Sequence, residues 1–448
     1  MKDERETRGR DVSSIIPHPF IVAALITAIA LLGFVFIRNL IDFPVYYSAG
    51  RSLLGGRTDL YAPDFARGSL MDYRYPPFFL IALAPLWFLP YKPAAYVWYL
   101  LSVAEIIGCL LILRSLVNPN RAKLTWLIAF LATGQYFVMI LHYGNAHLPA
   151  IFLLFASVYL YIKRKDSLAA LAMSLAVTIK LTPILLLPYF ALKKRWRFLS
   201  LVSGFLIIIN LAPALYFGFE KNSELLVEWY NHVVADQEFH ETNGPINLSL
   251  KGELRRYLSP VDYSQRVEAD TDYRNINVAA LSREQTDRIW LVVAAIVYGV
   301  ALALVLWRSK GIKGHEEAGI SQRVESDGLP LYTSLEFGLM ISVMLLVGPL
   351  TSKIYFIALL WPIVSLGSFA FNDSLPASGL ARRVLLVIAA INFVLPLLPG
   401  RSLQRFLLVL GADFFVNCIL MAALASVLIA NRRVRQEQSY ELRTQALP

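Results

Sequence analysis

The sequence predicts an all-α polytopic membrane protein with about twelve transmembrane helices. Of its 448 residues, 57% are hydrophobic and only 17% are charged, well below the share of about 25% in soluble domains. Apolar runs of roughly 18–25 residues recur, each long enough for a hydrocarbon core of about 30 Å. They are continuous rather than alternating, which disfavours a β-barrel and leaves helices to satisfy the backbone in lipid. The net charge of +10 comes from basic residues gathered at the ends of these runs. That placement fits positive-inside topology and contact with anionic lipid, and gives no sign of nucleic-acid binding.

Residues 1–16 form a polar tail with Lys2, Arg5, Arg8 and Arg10, expected to be cytoplasmic. The apolar run from Ile21 to Ile37 has no small-residue cleavage site, so it stays as the first helix and ends near Arg38, placing Asp42 on the far side. A long first extracytoplasmic loop follows. From Pro76 a short apolar run descends to a turn at Tyr91-Lys92-Pro93, and Ala94 to Leu113 returns; two prolines suit a helix start, where a missing N–H costs nothing.

Two further apolar stretches, 124–141 and 148–162, flank His142-Tyr143-Gly144-Asn145-Ala146-His147. A third, 168–191, is interrupted by Lys180-Leu181-Thr182-Pro183. Basic clusters at 163–165 and 193–197 cannot both be cytoplasmic if each stretch crosses once, and the stronger one, Lys193 to Arg197, is assigned there. A helix over 198–217 completes an N-terminal transmembrane module spanning 17–217, with the polar loop 40–75 inside it. Residues 218–285 are expected to form a folded extracytoplasmic loop. Residues 286–430 hold the C-terminal helices (289–307, 334–347, 354–370, 383–398 and 404–430), with a cytoplasmic loop at 308–333 and a cytoplasmic tail at 431–448. This count puts the turn 348–353 on the same face as Asp42.

The loop from Asp42 to Pro77 concentrates acids, arginines and tyrosines between two apolar runs. Asp42 follows a hydrophobic helix and precedes Phe43-Pro44-Val45-Tyr46-Tyr47; read alone it is a solvated helix end, and read with its neighbours it is a carboxylate whose pKa partial burial would raise toward that of a general base. Arg74 and Tyr75 form an ordinary interfacial belt or a sugar- and phosphate-binding edge. Lys180 interrupts an apolar stretch, which needs a reason: snorkelling to the interface, or contact with a lipid phosphate or an acid. Lys353 is a capping surface lysine or a second cation on the active face. His142 and His147 stand five apart, a spacing that does not put both on one helix face. Cys109 and Cys418 fall inside apolar runs and read as packed or lipid-facing thiols. No Walker loop, dinucleotide glycine pattern, serine elbow or HExxH is present in the sequence.

The order of Asp42 with VYYSAGRSLLGG, DLY at 59–61, YPPF at 75–78, IKLTPILLLPY at 179–189 and KKRWR resembles glycosyltransferase family 87 over roughly residues 35–370. These are multi-spanning GT-C enzymes similar to polyprenol-phosphate-mannose-dependent α-1,2-mannosyltransferases. Asn247-Leu248-Ser249-Leu250-Lys251-Gly252 is similar to a motif of the family's large loop. Gly144-Asn145-Ala146-His147 matches the family's Gly-Gln-x-Asn stretch loosely. The late turn reads Gly348-Pro349-Leu350-Thr351-Ser352-Lys353-Ile354-Tyr355, without the family's histidine pair.

The resemblance implies a GT-C-like fold and inverting transfer of a sugar, mannose, from a polyprenyl-phosphate donor to a glycolipid or extracytoplasmic glycan acceptor. The site would lie on the extracytoplasmic face of a bacterial plasma membrane. Asp42 would be the catalytic base. Lys353, Lys180 and Arg74 would bind the donor phosphate, and Tyr46, Tyr47, Tyr75, Asn145 and Asn247 the sugar or acceptor. A cationic cradle makes a metal unnecessary, and no cofactor is expected. Two rival readings are a flippase or transporter of lipid-linked saccharides and a structural subunit of an envelope-synthesis complex.

Overall fold

The computed structural model describes residues 19–69, 71–115, 122–235, 247–261, 275–310, 331–371, 375 and 377–445. The expected tail 1–16, most of the loop 308–333 and parts of the loop 218–285 lie outside the described residues, as do the side chains of 431–448. Every regular element among the described residues is helical, as a chain must be where lipid offers the backbone no partner.

Helix α1 (Pro19–Phe36) ends in a 3-10 turn, and α2 (Phe43–Leu54) leaves it at a bend of 70°. The run after Pro76 makes only short pieces, α3 (Pro77–Ala82) and α4 (Ala84–Trp87), packed on α2; the expectation of a descending apolar stretch is corrected to a broken segment that props the polar loop. Pro77 and Pro85 each sit at a helix start, where proline is tolerated and new helices begin. Then follow α5 (Tyr91–Arg114), α6 (Ala122–Tyr143), α7 (His147–Ile162) and α8 (Asp166–Ile179).

Helices α7 and α8 form a tight antiparallel hairpin, because Ala169, Ala170, Ala172 and Ala176 are buried along α8 and small side chains let helix backbones approach. The hairpin returns the end of α8 to the level at which α7 began. Beyond Lys180 the chain reverses through a 3-10 turn (Thr182–Leu186) into α9 (Leu187–Leu192) and α10 (Trp196–Leu211). Phe190 and Phe198 pack on Tyr161 with ring centroids 4.9 and 5.4 Å apart, and the Arg195 guanidinium lies 5.9 Å from the same ring. Both basic clusters, 163–165 and 193–197, therefore lie at one end of the hairpin. The stretch 168–191 does not cross once; it turns back at the Lys180–Pro183 break, which removes the conflict that forced a choice between the clusters.

After α11 (Ala214–Phe217) and α12 (Phe219–Trp229), the described part of the large loop contains α13 (Leu250–Leu258). The C-terminal portion comprises α14 (Arg283–Lys310), α15 (Leu331–Val347), a 3-10 segment (Lys353–Leu359) running into α16 (Leu360–Ala370), α17 (Ser378–Val394), the short α18 (Arg401–Val409) and the long α19 (Ala412–Gln445). The expected run 404–430 thus divides at Gly411, whose φ is +73°. Helices α15 and α16 are the enclosed centre. Gly338 makes this possible, since a Cβ there would meet Pro362 Cα at 3.1 Å.

Among the described residues, seven helices are long and apolar enough to span a membrane, or eight if the bent pair counts as one span. This is a multi-pass membrane protein. The expected figure of about twelve is not reached by this measure, because four apolar helices, α7, α8, α15 and the pair 182–192, have only 10–17 residues.

Candidate active site

Asp42 sits at the bend beyond the first apolar helix. The Ile41 and Asp42 N–H groups both donate to the Tyr143 carbonyl, at 3.3 and 2.9 Å, which ties the bend to the end of α6. An aspartate at a helix N-cap ordinarily accepts from the first turn. Here Asp42 caps nothing with its side chain; its Oδ2 instead accepts from Asn145 Nδ2 at 2.9 Å. Burial raises the Asp42 pKa above the usual carboxylate value, while the Asn145 hydrogen bond and the nearby Lys180 charge pull it back.

Asn145 is held by the turn between α6 and α7. Gly144 adopts φ +62°, and a Cβ there would press on Leu40 at 3.0 Å and Phe43 at 3.3 Å, so glycine is needed for conformation and for close approach. Trp98 Nε1 donates to the Gly144 carbonyl at 2.9 Å, and the Ala146 N–H donates to the Tyr46 hydroxyl at 3.1 Å. Tyr46 in turn shares a 2.9 Å hydrogen bond with Tyr75. The Tyr46 ring is enclosed edge-on by Tyr75, Phe79 and Trp98. Its faces are covered by protein, and its geometry is that of a brace between the polar loop and the α6–α7 turn.

Lys180 closes the other side. Its Nζ donates to the Tyr355 hydroxyl at 3.1 Å and lies 4.9 Å from the Tyr75 ring centroid. Among the described residues it meets no carboxylate within ion-pair distance. A half-buried ammonium that rests on tyrosines and has the Asp42 carboxylate nearby but outside ion-pair distance keeps charge available for an anion. Tyr355 also stacks on His147, with centroids 3.9 Å apart and planes 18° apart, and the His147 backbone N–H donates to Asn145 Oδ1 at 2.7 Å.

Asp42, Tyr46, Tyr75, Asn145 and Lys180 are thus gathered into one site. The other expected residues are placed differently. Lys353 pairs with Asp413 at 3.4 Å, and the other Asp413 oxygen accepts from Tyr136 at 2.6 Å. Arg74 lies 3.8 Å from Asp72. The Tyr47 hydroxyl donates to the Leu89 carbonyl at 2.7 Å. Asn247 binds the late turn: its Nδ2 donates to the Pro349 carbonyl at 2.9 Å, and its Oδ1 accepts from the N–H groups of Thr351 and Ser249, each at 3.1 Å. Gly252 is required beside it, since a Cβ there would overlap the Asn247 carbonyl.

Two members of the site, His147 and Tyr355, escaped assignment. The available signals were a histidine two residues after Asn145 and an aromatic residue closing the late turn; neither indicates a stack between distant segments. Among the described residues, no group of three or more His, Cys, Asp or Glu side chains is arranged to hold a metal ion.

The sequence profile of glycosyltransferase family 87 matches residues 73–321. A relative from Mycolicibacterium smegmatis, polyprenol-phosphate-mannose-dependent alpha-(1-2)-phosphatidylinositol pentamannoside mannosyltransferase, is 26% identical over 238 residues, which is 50% of this chain and 53% of that protein. The chain matches about half the length of that relative. Among solved structures, ArnT from Cupriavidus metallidurans bound to undecaprenyl phosphate aligns over 95% of this chain and 81% of its own, with a TM-score of 0.42 and 14% identity.

Proposed function

Because the chain belongs to glycosyltransferase family 87, we propose that it transfers a sugar, mannose, with inversion from a polyprenyl-phosphate donor to a hydroxyl of a glycolipid or extracytoplasmic glycan. The observation that carries this reading is the placement of Asp42 and Lys180 on two sides of one site at the end of a hydrophobic hairpin. One is a carboxylate with a raised pKa, the other a cation that makes no ion pair among the described residues. The name of the mycobacterial relative supports the donor class.

Asp42 accepts the proton of the acceptor hydroxyl as its oxygen bonds to the anomeric carbon. The bond from that carbon to the phosphate oxygen breaks, and its electron pair leaves with the lipid phosphate. Lys180 faces the charge developing there, in a site from which water is largely excluded. Asn145 holds the base in place. Tyr46 and Tyr75 fix the loop that carries it. The donor's tail stays in lipid while its head reaches the bend at Asp42, which accounts for a site built where spans end. The face carrying Asp42 is extracytoplasmic in this reading, since the basic clusters at 163–165 and 193–197 occupy the opposite end.

The test is transfer of labelled mannose from polyprenyl-phosphate mannose to glycolipid acceptors by the protein in liposomes. Asp42→Asn is expected to lower transfer by about 10²–10⁴-fold with donor binding retained. Unchanged transfer excludes Asp42 as the base. Label that moves between leaflets with no new glycoside identifies a flippase instead.

A further inference from the structure

The His147 ring is 1% exposed, and among the described residues neither ring nitrogen makes a hydrogen bond of ordinary geometry, although the Tyr355 backbone lies close by. Folded proteins rarely leave buried donors and acceptors unmet, and a group left so needs a reason. Its position supplies one. The imidazole stacks on the ring of Tyr355, whose hydroxyl holds the Lys180 ammonium, so ring nitrogen and cation share a single tyrosine. Its backbone is fixed by the same asparagine that holds Asp42. The ring also stands at the first residue of α7, where helix N–H groups and the macrodipole favour negative charge.

We propose that His147 is a second binding residue for the donor's phosphate, its ring N–H donating to a phosphate oxygen beside Lys180. This rests on the glycosyl-transfer reading above and adds a residue with a separate role. Lys180 supplies charge without direction; the imidazole, locked in plane by the stack, supplies a directed donor. Together they orient the phosphate so that the departing oxygen points away from Asp42. The role is binding in ground and transition states alike, so its loss falls on KM for the donor more than on kcat.

The experiment measures binding of a polyprenyl monophosphate and of the neutral polyprenol to the full-length protein in nanodiscs, for wild type, Lys180→Met and His147→Phe. Phenylalanine keeps a flat ring on Tyr355 and removes both nitrogens. The proposal expects monophosphate affinity to fall about 10- to 100-fold in His147→Phe, with polyprenol affinity unchanged. If Lys180→Met loses the monophosphate and His147→Phe binds it as wild type does, the histidine is structural and the glycosyl-transfer reading stands. If wild type binds the monophosphate no better than the polyprenol, that reading fails as well. Should His147→Phe lose its cooperative melt, His147→Gln and His147→Leu are compared. Both lose the stack and only Gln keeps a donor, so equal affinities overturn the proposal and tighter binding by Gln supports it.

Discussion

The Asn145 amide donates to the Asp42 carboxylate at 2.9 Å, so the turn that opens α7 controls the group at the bend that opens α2. Burial raises the Asp42 pKa, and this hydrogen bond favours the ionised form. A base works only when deprotonated. The acid limb of kcat/KM is therefore expected above the ordinary carboxylate range, and Asn145→Ala should move it to still higher pH. A pH–rate profile checks this, and an unmoved limb in the variant would show that Asn145 does not govern the base.

Lys180→Met should act on two observables. Removing a charged donor from the phosphate is expected to weaken donor binding by about 10- to 100-fold. Because the Lys180 charge also lowers the Asp42 pKa, the acid limb should shift upward in the same variant. Lys180→Arg keeps the charge and so keeps the limb near its place, while its longer, planar fork should not reproduce the single hydrogen bond to the Tyr355 hydroxyl. Donor KM and pH profile, measured together, separate the two effects.

Much of this architecture was legible in the sequence. Lipid forces an apolar run to be helical, so the class follows from composition alone, and polar interruptions such as Asp42, Asn145 and Lys180 stand out because they are costly in such runs. The reversal after Lys180 was half visible: Pro183 signalled a break, but whether a break bends or reverses the chain depends on Phe190 and Phe198 finding Tyr161. The stack of His147 on Tyr355 left no periodic trace, and neither did the pairing of Lys353 with Asp413. Such contacts are fixed by how helices far apart in sequence pack.

The Lys353 pair gives a contrasting prediction. Asp413 is nearly enclosed, and its carboxylate is balanced by Lys353 at 3.4 Å and by the Tyr136 hydroxyl. Lys353→Met leaves that charge with one neutral partner, so stability should fall by about 1–2 kcal/mol, the figure reduced because Lys353 is partly solvated. Donor KM should change less than in Lys180→Met. A larger rise in donor KM, with the melting temperature unchanged, would return Lys353 to the phosphate site.

Gly144→Ala tests the turn directly. A left-handed residue with a Cβ costs about 1–2 kcal/mol, and the added methyl carbon would stand 3.0 Å from Leu40 and 3.3 Å from Phe43. A lower melting temperature and reduced kcat are expected together, since Tyr143 and Asn145 on either side of Gly144 both hold Asp42. Wild-type melting and turnover would mean that the bend at Asp42 does not depend on this turn.

Asn247 decides whether the large loop acts on sugar or on structure. Its side chain spans the Pro349 carbonyl and the Thr351 and Ser249 N–H groups, and the turn it holds leads directly into the 3-10 segment that carries Tyr355. Asn247→Ala leaves the buried Thr351 and Ser249 N–H groups unmet, a cost of about 2–3 kcal/mol. The melting temperature should drop, and donor affinity should fall with it, because Tyr355 would no longer be held where its hydroxyl accepts from Lys180. A residue that touched only the acceptor would behave otherwise, raising acceptor KM while melting temperature and donor affinity stayed at wild-type values. The two outcomes part on melting temperature and donor affinity, lowered by loss of a strut and unchanged by loss of a sugar contact, so one variant, assayed for melting, donor binding and acceptor KM, separates them.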